Sequence, residues 1–96
     1  MLIHAVIKNE EERNKRMIIE YTRLLSELPK GVLICRKNYF YLKFRENGKI
    51  CDKYIGKESA AVEEIRTKLL LRKHYATMLE ALMQEQKAIQ KLLEDI

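Results

Sequence analysis

The stretch Tyr39-Phe-Tyr-Leu-Lys-Phe-Arg-Glu-Asn-Gly-Lys-Ile-Cys-Asp-Lys-Tyr-Ile55 decides the fold. Alternating residues flank Asn47-Gly48, a dipeptide that accepts positive φ at both central positions of a two-residue type I′ turn. With that turn as the loop, Glu46 faces Lys49. The pairs Arg45–Ile50, Phe44–Cys51, Lys43–Asp52, Leu42–Lys53, Tyr41–Tyr54 and Phe40–Ile55 follow. Side chains alternate across a strand, so this register sorts the hairpin into two faces. Phe40, Leu42, Phe44, Cys51 and Ile55 share one face, with Lys53 the only polar intruder. Tyr39, Tyr41, Lys43, Arg45, Ile50, Asp52 and Tyr54 share the other. Tyr41 opposite Tyr54 and Lys43 opposite Asp52 are favourable cross-strand pairs.

Gly31-Val-Leu-Ile-Cys-Arg36 reads as a preceding strand, joined through a Lys37-Asn38 turn. If Arg36 faces Tyr39, Leu33 and Cys35 join the apolar face, and Val32, Ile34 and Arg36 join the other. A three-stranded antiparallel meander over 32–55 results, and its apolar face needs a helix packed against it.

Helices are predicted on either side. Asn9-Glu-Glu-Glu12 carries a cap and a capping-box glutamate, predicting a helix over 9–28. Met17, Ile18, Tyr21, Leu24, Leu25 and Leu28 form its apolar stripe, and Pro29 stops it. Leu2 to Ile7 has no decisive period and is open to a strand, a helical turn or an arm. Ser59 caps a second helix, predicted over 59–95. Its apolar residues allow two seams, one through Val62, Ile65, Leu69, Ala76, Leu79, Met83 and Leu93. The other runs through Leu71, Tyr75, Met78, Leu82, Ile89, Leu92 and Ile96. A straight helix of this length reaches about 55 Å, against a radius of gyration near 13 Å for a compact domain of about this size. It must bend, with residues 73–77 the weakest place, or project to meet a partner. The second seam, at Leu71, Tyr75, Met78, Leu82, Ile89 and Leu92, is the expected homodimer interface. The expected fold class is α+β: a single domain over residues 1–96 with an N-terminal helix, a three-stranded meander and a long C-terminal helix.

The 96 residues include 47% hydrophobic residues, more than a disordered chain carries. No apolar run is long enough to span a membrane, and no signal-peptide pattern is present. The register puts Cys35 and Cys51 roughly 16 Å apart by sheet spacings, too far for a disulfide, so two free buried thiols and a cytoplasmic location are expected. No metal-ligand spacing, cofactor loop or nucleophile–base constellation is present. The expectation is a protein with no metal, no cofactor and no catalytic residue.

The net charge of +5 is unevenly spread. Residues 1–28 are neutral and residues 58–96 carry −1, while residues 29–57 carry +6. The positive excess therefore lies on the meander. Tyr39, Tyr41 and Tyr54 offer stacking faces there, and Arg36, Lys43, Arg45 and Lys49 offer phosphate contacts. Arg66 and Arg72, with Lys68, Lys73 and His74, would extend the track along the second helix. Tyr and Lys are also ordinary residues for a solvated strand face, and the two readings stand level at this point.

Leu28-Pro-Lys-Gly31, the Tyr-rich strand through Asn-Gly-Lys49, Lys53-Tyr-Ile-Gly-Lys57 and the charged, Leu-rich helix resemble an uncharacterised family of small bacterial and archaeal proteins. The resemblance covers roughly residues 20–93. Members of that family often sit on phages and mobile elements. Some carry a cysteine-rich insertion before the Tyr-rich strand, which this chain lacks. The resemblance implies no activity, only a phage or mobile-element context. In that context the alternative to nucleic-acid binding is an inhibitor of a host defence system. It would be an anti-CRISPR-like binder of a host protein or ribonucleoprotein, or a sponge for a nucleotide signal.

Overall fold

A computed structural model describes residues 2–95. Its elements are helix α1 (Leu2–Ser26), strands β1 (Val32–Arg36), β2 (Tyr39–Glu46) and β3 (Lys49–Gly56), and helix α2 (Ala60–Glu94). The fold is α+β, as the sequence implies. The chain divides into two compact units. Leu28–Lys73 forms a sheet unit, and the chain up to Glu27 pairs with the chain from His74 as a helical unit.

In the sheet unit the strands pair antiparallel in the order β1-β2-β3. Arg36 faces Tyr39 and Leu33 faces Leu42, while Tyr41 faces Tyr54 and Glu46 faces Lys49. Both loops are two-residue turns with positive φ throughout: Asn47 at 52° and Gly48 at 78°, Lys37 at 51° and Asn38 at 70°. Lys37 is a poor residue for that conformation, since its Cβ crowds the backbone. One predicted pair is corrected. Phe40 faces Gly56, and a bulge between Phe40 and Tyr41 leaves Ile55 unpaired. Gly56 takes φ 131° there, a backbone that L side chains rarely adopt.

The apolar face holds the core of this unit. Leu42 is 6% exposed and Val62, in the first turn of α2, is fully buried. Ile65 and Leu69, at helical spacing from Val62, are half-buried. The Arg66 guanidinium lies 5.6 Å from the Phe40 ring centroid, and Arg72 donates to the Leu28 carbonyl at 3.2 Å. The Leu28–Gly31 linker runs close against β2. A Cβ on Gly31 would overlap the Lys43 carbonyl oxygen, which fixes glycine at that point. Neither cysteine is bridged. Cys35 is exposed and Cys51 half-buried, so the expected burial of both thiols is corrected. Cys35 lies on edge strand β1.

In the helical unit α1 begins at Leu2, not at Asn9. Leu2 to Ile7 is helical, and Asn9 is an interior residue rather than a cap. The two helical segments pack antiparallel. Tyr21 meets Tyr75 edge-on at 5.5 Å, and Asn14 Nδ2 donates to the Leu82 carbonyl at 2.8 Å. One heptad further, the same step sets Ile7 opposite Ile89. Leu82 and Ile89 are each 7% exposed. The seam expected to meet a second copy is thus occupied within the chain at Tyr75, Leu82 and Ile89. Met78 is half-buried, while Leu71 and Leu92 stay exposed. The physical reason is that α1, longer than its cap signal implied, supplies the facing stripe. Ile96 of that seam lies outside the described residues. α2 itself runs unbroken through residues 73–77.

Candidate nucleic-acid interface

Strand alternation places Arg36, Tyr39, Tyr41, Lys43, Arg45, Ile50, Asp52 and Tyr54 on the sheet face opposite Leu42. The tyrosines form one cluster. Tyr54 stands 5.5 Å from Tyr41 and 6.1 Å from Tyr39 between ring centroids. The first contact is expected from the cross-strand pairing of Tyr41 with Tyr54. The second is the diagonal contact of Tyr54 with the residue two places along β2, within reach of aromatic rings.

Two cations lie over these rings. The Arg36 guanidinium is 5.6 Å from the Tyr41 centroid, and Lys57 Nζ is 5.5 Å from that of Tyr39. Arg36 starts on edge strand β1 yet reaches Asp52 on β3 at 3.4 Å. It crosses β2 above Tyr41 on the way. Asp52 faces Lys43 in the register, as expected, but its carboxylate pairs with Arg36, which changes the charge pattern of the face. Among the described residues Lys43 and Arg45 have no ion-pair partner, and both are exposed. Four cations, Arg36, Lys43, Arg45 and Lys57, then share the face with a single carboxylate.

The face is open to solvent. Tyr54 is 57% exposed, Val32 63% and Ile50 61%. Exposed apolar and aromatic surface interleaved with free cations can stack planar rings and neutralise phosphates.

Three of the predicted site residues are not brought to this face. Lys49, opposite Glu46, alternates onto the side of Cys51 and Lys53 at the hairpin tip. Arg66 lies over Phe40, on the apolar side, and is held there by Glu58 and Glu63. Arg72 serves the Leu28 carbonyl and is half-buried. Lys49 is turned away by strand alternation alone. Arg66 and Arg72 share another cause: the first turns of α2 cover the side of the sheet away from the tyrosines, so basic residues on α2 that point inward meet Phe40 and the linker. Lys57 was missed, because its approach to Tyr39 depends on the bulge. Val32 and Ile50 were placed on this face but not counted as site residues, although their exposure was readable from the alternation.

No curated protein and no solved structure matches the chain. The profile of a family described as a domain of unknown function, DUF6788, matches residues 7–67, which include all three strands. The chain belongs to that family.

Proposed function

We propose that this protein binds single-stranded nucleic acid through the open face of its meander, without catalysis. The observation that carries the reading is the cluster of exposed Tyr39 and Tyr54 around half-buried Tyr41, with Arg36, Lys43 and Arg45 on the same face. Tyr54 and Tyr39 are exposed and can stack on unstacked bases, each such contact being worth about 1–3 kcal/mol. Lys43 and Arg45 flank them at strand spacing and meet the backbone. A duplex buries its base faces, so the tyrosines gain little from it. Preference for a single strand therefore separates stacking from plain charge attraction.

Fluorescence anisotropy with a labelled single strand and with the matching duplex, at two salt concentrations, tests this. Two phosphate contacts on a single strand, at Lys43 and Arg45, give a log–log salt slope of about −1.4. The single strand should bind more tightly than the duplex, and Tyr54→Ala should weaken it without lowering the melting temperature. Equal binding of both forms, or none at low salt, removes the reading.

A further inference from the structure

Lys53 breaks the pattern of the apolar face, and the reason lies on the side of the sheet away from the tyrosines. There an open cavity of about 370 Å³ is lined by Pro29, Lys30, Leu42, Phe44, Arg45, Glu46 and Lys53. Leu42 and Phe44 make an apolar floor. The Pro29–Gly31 linker forms one wall, pressed against β2 at Lys43 and Phe44 and tied down through the Arg72 bond to the Leu28 carbonyl. Lys53, directly opposite Leu42, forms the other wall. Lys53 is exposed, and a lysine in such a wall can lay its stem along apolar surface with its ammonium in water.

The rim is cationic. Among the described residues Lys30 and Lys53 have no ion-pair partner, and one carboxylate, Glu46, stands against them. An apolar floor under unpaired cations is complementary to a ligand with an apolar body and a negative charge. The volume falls in the range of about 300–1,000 Å³ found for small-molecule sites. A polynucleotide does not fit this shape, because its charge runs along a backbone instead of ending one apolar group.

We propose that this cavity is a binding site for a small amphipathic carboxylate, with its aliphatic or aromatic body on Leu42 and Phe44. Its carboxylate lies between Lys30 and Lys53. Charge-assisted contacts from the two ammonium groups fix its orientation. The site is built from other side chains than the tyrosine face and stands or falls independently of it; Arg45 borders the cavity, but alternation turns its side chain to the tyrosine side.

The test is calorimetric titration of the whole chain with decanoate, and with decylamine as the cation of matched length. Decanoate should bind and decylamine should not. The Lys30→Glu/Lys53→Glu variant changes two exposed residues, so it should melt like the parent. It should weaken decanoate about tenfold or more, the loss expected when two charge-assisted contacts become repulsive. Tyr54→Ala should leave decanoate binding unchanged, which distinguishes this site from the nucleic-acid face. Absence of decanoate binding overturns the proposal. So does equal binding of decylamine, or full retention of decanoate binding in the double variant.

Discussion

Asn14 and Leu82 meet across the helical unit: the Asn14 Nδ2 donates to the Leu82 carbonyl at 2.8 Å, and Asn14 is 1% exposed. The same Nδ2 approaches Glu85 Oε1 at 3.4 Å, while the Asn14 Oδ1 is buried without a partner. A single buried Asn at a heptad position commonly fixes register at a cost in stability. Asn14 sits midway between the Ile7–Ile89 and Tyr21–Tyr75 levels, where one misaligned turn would strand its amide. Asn14→Leu removes an unsatisfied acceptor worth about 1–3 kcal/mol when buried. The variant should melt higher, by about 4–8 °C for each kcal/mol gained in a chain of this size. It should also lose register specificity, visible by light scattering as association absent from the parent. A lower melting temperature would show that the amide contact outweighs the orphaned oxygen.

The core of the sheet unit rests on few residues. Leu42 and Val62 are the buried hydrophobic residues there among those described. Leu42→Ala should cost about 2–5 kcal/mol, measured as a shift of the urea midpoint. Val32→Ala, on the exposed side of the sheet, should move it by less than about 0.5 kcal/mol. Equal effects would mean the two faces are assigned wrongly.

The turn at Lys37-Asn38 carries strain that Asn47-Gly48 avoids. Both residues have positive φ, and Lys37 accepts it poorly. Lys37→Gly should stabilise the protein by about 0.5–1 kcal/mol, seen as a higher melting temperature, because a left-handed L-residue costs about 1–2 kcal/mol and glycine returns part of that as entropy. Gly31→Ala should act in the opposite sense and more strongly. Its Cβ would run into the Lys43 carbonyl, while a Cβ on Gly48 meets nothing within 4 Å.

Arg66 separates stability from binding. It pairs with Glu58 and Glu63 and lies over Phe40, on the far side of the sheet from Tyr41. Arg66→Ala should lower stability by about 0.5–1 kcal/mol and leave oligonucleotide affinity nearly unchanged. Arg45→Ala should do the reverse. Anisotropy and thermal melting on the same samples read both.

Much of the sheet was legible because its signals are local. Asn47-Gly48 fixes the turn, the turn fixes the register, and alternation fixes the faces. The bulge at Ile55 was not, since Ile55 suits a paired strand position and only Gly56 beyond it allows the detour. The start of α1 was hidden by a false signal. Asn9 and Glu12 make a good cap on paper, while Leu2 to Ile7 has no clear period until Ile7, Asn14 and Tyr21 are seen to face Ile89, Leu82 and Tyr75. Two polar residues on α1, Glu11 and Asn14, are buried, which broke the apolar pattern by which that match could have been found. The seam of α2 reads as a homodimer interface, but its period is the same whether the facing helix comes from this chain or another. Arg66 and Arg72 were misplaced for a related reason: a helical wheel lists charges without showing which of them the sheet will cover.

The most direct test of the tyrosine face is its aromatic proton–carbon spectrum recorded with and without a short single-stranded oligonucleotide. Ring signals of Tyr39, Tyr41 and Tyr54 should shift together at saturation, while those of Tyr21 and Tyr75, which pack on each other in the helical unit, stay in place. Shifts confined to Tyr21 and Tyr75, or none in the strand tyrosines at saturating oligonucleotide, would contradict binding at this face.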